Sequence, residues 1–499
     1  MVNISGGEVG SSSEATGNSV VNITGGEIGF SFEAFDSVVN ISGGEVGSSF
    51  DAESGSVVNI SGGEVGTNFD AFGGSAVNIS GGEVGSSFDA ESGSVVNISG
   101  GEVGTNFDAF SGSVVSISGG EVGTNFDAFG GSVVNISGGE VGAGFDAENG
   151  SEVNISGGVF GENFDAFSGS VVNISGGVFG RDFDAFDGST INLSGGEFQL
   201  NGVAVTNSTI SVGDNDVFSG TLADGTSFIF SSDTSDELSE VNLSVVPLTA
   251  ADTTPVVISS LNTGDPVNLR SGQTLTVAAG GVTGDNLAAV NATVNIQAGL
   301  VGDDAETAGS LVNISGGTIE DSFNAFNSEV NVTGGEVGTN FLAGSGSVVN
   351  ISGGEVGSSS EAFDSVVNIS GGEVGSSFDA ESGSVVNISG GVFGDAFAAF
   401  DGSEVNLLGS EFFLAGELID ASTLDGAFTI SDRAVTLSGI LNDGSLFSFD
   451  LNPIESSGND FFASGATLTV TVVSVPEPSS ALALLGLGGL TMLRRRRTA

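Results

Sequence analysis

Val39-Asn-Ile-Ser-Gly-Gly-Glu-Val-Gly-Ser-Ser-Phe-Asp-Ala-Glu-Ser-Gly-Ser-Val57 decides the fold, because the chain repeats it. Equivalent starts fall at Val2, Val21, Val39, Val58, Val77, Val96, Val115, Val134, Val153, Val172 and Ile191, with a spacing of 19 residues and one gap of 18. A second series starts at Leu275 and continues at Val294, Val312, Val330, Val349, Val367, Val386 and Val405, again 18 or 19 apart. A unit this short cannot bury a core by itself and must stack on its neighbours. Within it, Val39 and Ile41 alternate with Asn40, the two-residue period of a strand. Gly43-Gly44 is expected to break that strand and turn a corner, with Val46 and Phe50-Asp51-Ala52 forming two further short strands.

These features predict an all-β fold, a parallel β-helix (β-solenoid) with 18–19 residues per coil. A right-handed helix is favoured. The 18-residue coils equal three hexapeptides, as in left-handed helices, but no clear hexapeptide pattern accompanies them. At about 4.8 Å per coil the first array would be about 50 Å long and the second about 40 Å. Inward columns are expected at Val2, Ile4, Val9 and their equivalents, with a phenylalanine stack from Phe32 through Phe50, Phe69, Phe88, Phe107, Phe126, Phe145 and Phe164 to Phe183. A second aromatic offset holds Phe72, Phe110 and Phe129 in some coils and Glu53, Glu91 and Glu148 in others, which places it at a corner.

Each array is followed by a non-repetitive stretch with Asp224-Gly225 or Asn442-Asp443-Gly444 between alternating strands, the signature of a hairpin turn. We read these stretches as β-rich caps that cover an open solenoid end. The organisation expected is solenoid 1–200, cap or connector 201–250, solenoid 251–410, cap 411–474 and a distinct tail 475–499. Met1 leads straight into the repeat, without cap or signal peptide, so the true start is expected upstream.

Composition narrows function. The chain has 63 acidic residues against seven basic ones and a formal charge of −56; His, Cys, Trp and Tyr are absent. Such a polyanion lacks the Lys and Arg clusters that hold phosphates, so nucleic acid is excluded as a partner. Without His or Cys, the usual nucleophile–base pairs and the nitrogen and sulfur ligands of zinc are missing. A flat solenoid could bind ice through regular threonine ladders, but Thr67, Thr105, Thr124 and Thr339 are too sporadic.

Acidic columns are the most suggestive chemical feature. One includes Glu45, Glu64, Glu83 and Glu102, the other Asp51, Asp70, Asp89 and Asp108. At about 5 Å between coils, neighbouring carboxylates repel by about 0.9 kcal/mol in water. Oxygen ladders of this kind can recruit Ca²⁺ or Mg²⁺; the alternative is a solvated face that keeps the rod soluble. An Asn column (Asn3, Asn22, Asn40, Asn59, Asn78, Asn97 and onward) is expected to hydrogen-bond along the axis. The carboxylates recur in every coil, and only Arg181-Asp182 and the inter-array segment break the repeat, so the chain is read as not an enzyme. The alternative is a carbohydrate-active β-helix enzyme, a polysaccharide lyase or hydrolase using paired carboxylates.

The last residues change character. Pro476-Glu477-Pro478 precedes an apolar run from Ser479 to Leu493, closed by Arg494, Arg495, Arg496 and Arg497. The arginines are expected to stay cytoplasmic. This tail closely resembles the PEP-CTERM sorting signal of Gram-negative bacteria. The resemblance implies export, recognition of Pro476, Glu477 and Pro478 by an exosortase, cleavage nearby, and delivery to the cell surface or extracellular matrix after transient membrane anchorage. The resulting expectation is an exported structural or adhesive protein whose partners are the exosortase, the membrane before processing, and extracellular polysaccharide, with no cofactor other than Ca²⁺ on the acidic columns.

Overall fold

The computed structural model describes residues 1–213, 215–231, 238–260, 267–419, 427–456 and 458–473. Among these residues every regular element is a β-strand. The chain divides into two compact units, Met1–Val349 and Asn350–Ala499.

In the first unit, each coil of the first array consists of a long strand such as Val38–Val46 and a short one such as Phe50–Glu53. Successive coils pair in parallel with like on like: Val39 faces Val58, Asn40 faces Asn59, Ile41 faces Ile60, and Phe50 faces Phe69. The parallel β-solenoid read from the period is therefore the observed fold. The expected break at the paired glycines is different in kind. The long strand continues through Ser42-Gly43-Gly44 as a bulge, with register shifts on either side, so a coil has two strands instead of three. Only glycine fits this bulge. Gly101 has φ +84°, and a Cβ there would lie 2.8 Å from the Gly82 carbonyl oxygen of the preceding coil.

The interior follows the alternation. Val96, Ile98, Val103, Phe107 and Ala109 are each fully buried. The predicted phenylalanine stack is present. Phe50 and Phe69 lie 4.7 Å apart and 4° from parallel, and the column continues to Phe183 and then to Phe230 of the cap at 4.5 Å. The second aromatic offset is half-buried at a corner, where Phe110 and Phe129 stack at 4.8 Å. The serine just before the long strand also turns inward and is buried; Oγ has no hydrogen-bond partner at Ser56, Ser75 and Ser94, whereas Ser151 and Ser170 donate to the Glu148 and Phe167 carbonyls.

The 201–250 stretch closes the first array. Leu238–Val245 adds one more parallel strand to the last coil, Ile191 facing Val241 and Asn192 facing Asn242. The hairpin Val217–Leu222/Ser227–Ser231 pairs antiparallel with the same coil and turns at the expected Asp224-Gly225. Its other face packs Val217 and Ile229 against Val290, Ala308 and Phe326 of the second array's coils. Those coils begin earlier than the repeat indicated: Val256–Ile258 already pairs with Leu275–Val277.

The second unit ends in the same way. Thr467–Val472 runs parallel to the last coil, Val405 facing Leu468, while the hairpin Thr436–Leu441/Leu446–Asp450 pairs antiparallel with it.

Candidate functional site

The acidic rows lie where the coils put them. Glu45, Glu64, Glu83 and Glu102 sit at the end of the long strand, in register and exposed. Asp51, Asp70, Asp89 and Asp108 occupy the middle of the short strand, in register and half-buried between inward Phe and Ala. Burial, reinforced by Asp89 and Asp51 above and below, pushes the Asp70 carboxyl up to about 6. Asp108 is pushed to about 6 in the same way, by burial and then by Asp127 and Asp89. The row thus carries charge that its environment resists, first through burial and then through its like-charged neighbours. The glutamate row stops at Glu140, where Val159 takes its place in the register.

Neither row gathers three carboxylates at one point. Among the described residues, Asp285, Asp303 and Glu320 do so, with ligand oxygens all within 4.8 Å of one another. They come from three successive coils. The Asp303 amide donates to Asp285 Oδ1 at 3.0 Å, and the Asp321 amide to Asp303 Oδ1 at 2.9 Å. Sequence reading missed this corner, although its signal was present: acids stand at 285, 303 and 321 where the first array has Ser48, Thr67 and Ser86.

The arginines of the described residues sit at joins. Arg181, one of the repeat's few singular residues, bridges Glu162 at 2.5 Å and Asp304 of the second array at 2.9 Å. Beside it Glu306 is buried, and that burial lifts its carboxyl to about 7 although Asn324 and Arg181 favour the charged form. Arg433 gathers cap carbonyls in the second unit, donating to Phe462 at 3.1 Å, Ile430 at 3.2 Å and Ala466 at 2.9 Å.

The two caps grip their arrays alike. Asp224 at the hairpin tip accepts from the Gly177 amide at 3.1 Å, and Asp443 accepts from the Gly391 amide at 3.0 Å. The preceding Gly176 leaves no space for a Cβ beside the Asp224 carboxylate. Sequence change announces the caps: Gly-Gly-Glu-Val becomes Gly-Gly-Val-Phe at 157–160, 176–179 and 390–393. The new aromatics join the cap core, Phe160 stacking on Phe179 at 5.0 Å and Phe179 meeting Phe230 edge-on at 5.8 Å.

An uncharged trough runs beside each cap, between the asparagine and serine rows on the outer face of the long strands. Its volume is about 290 Å³ in the first unit, from Asn135 to Ser194, and about 330 Å³ in the second, from Asn368 to Thr471. The predicted asparagine ladder forms its wall: Asn173 donates to Asn154, and Asn192 to Asn173, each at 2.8 Å.

Pro476, Glu477, Pro478, Arg494, Arg495, Arg496 and Arg497 lie outside the described residues. No helix of the described residues is long and apolar enough to cross a membrane. No curated protein and no solved structure is significantly similar to the chain. Residues 474–497 match the family model described as the PEP-CTERM protein-sorting motif, so this β-solenoid carries the tail of an exported chain processed by an exosortase.

Proposed function

We propose that this protein is a structural or adhesive scaffold of the cell surface or extracellular matrix. In this reading the segment from Ser479 to Leu493 anchors it in the membrane until an exosortase cleaves near Pro476-Glu477-Pro478. The freed rod then associates with extracellular polysaccharide. Divalent cations, Ca²⁺ foremost, settle on the acidic rows, lower their mutual repulsion and bridge the rod to other polyanions.

The observation that carries the proposal is the union of a sorting tail at 474–497 with a β-solenoid whose surface chemistry repeats coil after coil. A scaffold needs a long, regular surface, whereas catalysis needs one place unlike the rest. No catalytic role is assigned to the carboxylates, because Asp51, Asp70, Asp89 and Asp108 share one environment.

Two measurements test this. In a host with an exosortase, replacing Pro476, Glu477 and Pro478 by alanine should leave the chain in the membrane fraction, while the parent reaches the surface or medium. Calorimetric titration of the purified rod with millimolar Ca²⁺ should give heat and a higher melting temperature. Soluble oligosaccharides released from acidic polysaccharides would instead favour an enzyme.

A further inference from the structure

The net charge of −56 makes an uncharged strip on this molecule a departure from its composition. One exists on the outer face of the first array. From Asn3 to Asn192 the outward position of each coil is Asn, or Ser at 116, and the next outward position is Ser, or Thr at 24. Along the first unit's trough, the outward position before the asparagine is half-buried valine at Val133 and Val171, with exposed Glu152 and half-buried Thr190 in the other two coils. The face therefore presents two continuous rows, amide and hydroxyl, beside an aliphatic one that Glu152 and Thr190 interrupt. They repeat with the coil, whose stacked rings set a spacing of 4.7 Å.

The polar rows keep unused hydrogen-bonding capacity. A side-chain amide has two N–H donors and two acceptor lone pairs. Asn173 and Asn192 each use one N–H along the ladder, which leaves a second directed away from it. Asn154 uses its second on Glu152 at 3.3 Å. The serine hydroxyls donate weakly to isoleucine carbonyls of the coil before, at 3.5 Å for Ser156 and 3.2 Å for Ser175, and their lone pairs remain open to solvent. Where the cap adjoins the array these rows flank a trough of about 290 Å³, close to the lower limit of about 300 Å³ for ligand sites. The same rows flank a trough of about 330 Å³ beside the second unit's cap, so the feature belongs to the module and not to one accident of packing.

We propose that this trough is a binding site for an extended, uncharged polysaccharide, laid along the solenoid axis with one sugar unit per coil. The proposal rests on the scaffold reading above and names its partner's chemistry. A pyranose ring carries apolar C–H faces and a rim of hydroxyls that both donate and accept. Val133 and Val171 suit the first; the amide N–H and serine lone pairs suit the second. The repeat of the coil is close to the length that one unit adds to an extended chain, so contacts stay in phase over several coils. A polyanion would meet Glu140 and Glu152, both exposed beside the trough, and be repelled.

The test is affinity electrophoresis of the full chain in gels containing hydroxyethylcellulose, with EDTA present. The parent should be retarded, and free cellohexaose should relieve the retardation. Ser137→Glu with Ser156→Glu places two charges at exposed trough positions and should weaken retention at least tenfold. Glu121→Gln with Glu140→Gln, on the acidic row, should leave it unchanged. An unretarded parent, or full retention of the double-Glu variant with a parental far-ultraviolet spectrum, overturns the proposal. Retention by polygalacturonate alone, and only with Ca²⁺, overturns the trough while sparing the scaffold reading. Normal retention with failed surface delivery does the reverse.

Discussion

Phe107→Ala is the sharpest test of how the first array is held together. Phe107 is fully buried, between Phe88 at 4.7 Å and 4° and Phe126 at 4.7 Å and 9°. Truncation removes the ring from the core, and the coils above and below cannot close the gap because their backbones are fixed by ladder hydrogen bonds. Buried Phe→Ala changes cost about 3–5 kcal/mol. Each aromatic pair adds about 0.5–1.5 kcal/mol beyond area, and two are lost here, so the upper end is expected. Phe110, three residues on, is the control. It is half-buried at a corner with one stacked partner, Phe129 at 4.8 Å, and its loss should cost about 1 kcal/mol. Urea unfolding followed by far-ultraviolet circular dichroism separates the two. Because coils couple to their neighbours, the Phe107 variant should unfold first around that coil. Equal shifts for both variants, or a Phe107 cost below about 1 kcal/mol, would refute the buried column as the main source of cohesion.

Three further outcomes follow from the same geometry. Asp70, Asp108 and Asp146 are raised to about 6 and Glu306 to about 7, so the folded state holds protons more tightly than the unfolded one. Their contribution is therefore full below the ordinary carboxylate range and lost as pH rises toward 7; melting temperature should fall between pH 4 and pH 8, and a rise would contradict these environments. Ser75→Ala removes a buried hydroxyl with no partner and should hold or raise stability by about 1 kcal/mol, measured by the urea midpoint. Asp224→Ala removes the carboxylate that grips the Gly177 amide and should cost about 1.5–3 kcal/mol, with faster proteolysis of the hairpin at Asp224-Gly225 as the second readout.

What the sequence disclosed follows from how far apart the interacting residues lie in the chain. Every contact between one coil and the next is written in the period, so the parallel register, the Val, Ile and Phe columns and the asparagine ladder could all be read from spacing. The caps were legible from Asp224-Gly225 and Asn442-Asp443-Gly444, because a hairpin turn is local. The bulge was not, since tolerance of positive φ at paired glycines is the same for a corner and for a bulged strand. Nor was the register of the coil at Val256–Ile258, which falls inside the expected 251–410 array but lacks the Gly-Gly-Glu-Val signature. The Arg181 node with Asp304 and Glu306 was hidden for a different reason. Arg181 stood out as singular, but its partner comes from the other array, and no period links the two. The trough lay in plain view as Asn-Ile-Ser, yet its meaning depends on which side chains face out and on the hydrogen bonds they leave unused.

The intact mass of the protein recovered outside exosortase-bearing cells tests the central claim, an exported β-solenoid released through its tail, most directly. The account predicts a chain that ends close to Pro476-Glu477-Pro478 and lacks Arg494, Arg495, Arg496 and Arg497, and no such product from cells without the exosortase. A released chain that still carries the arginine run, or release of the same product without the enzyme, would contradict it.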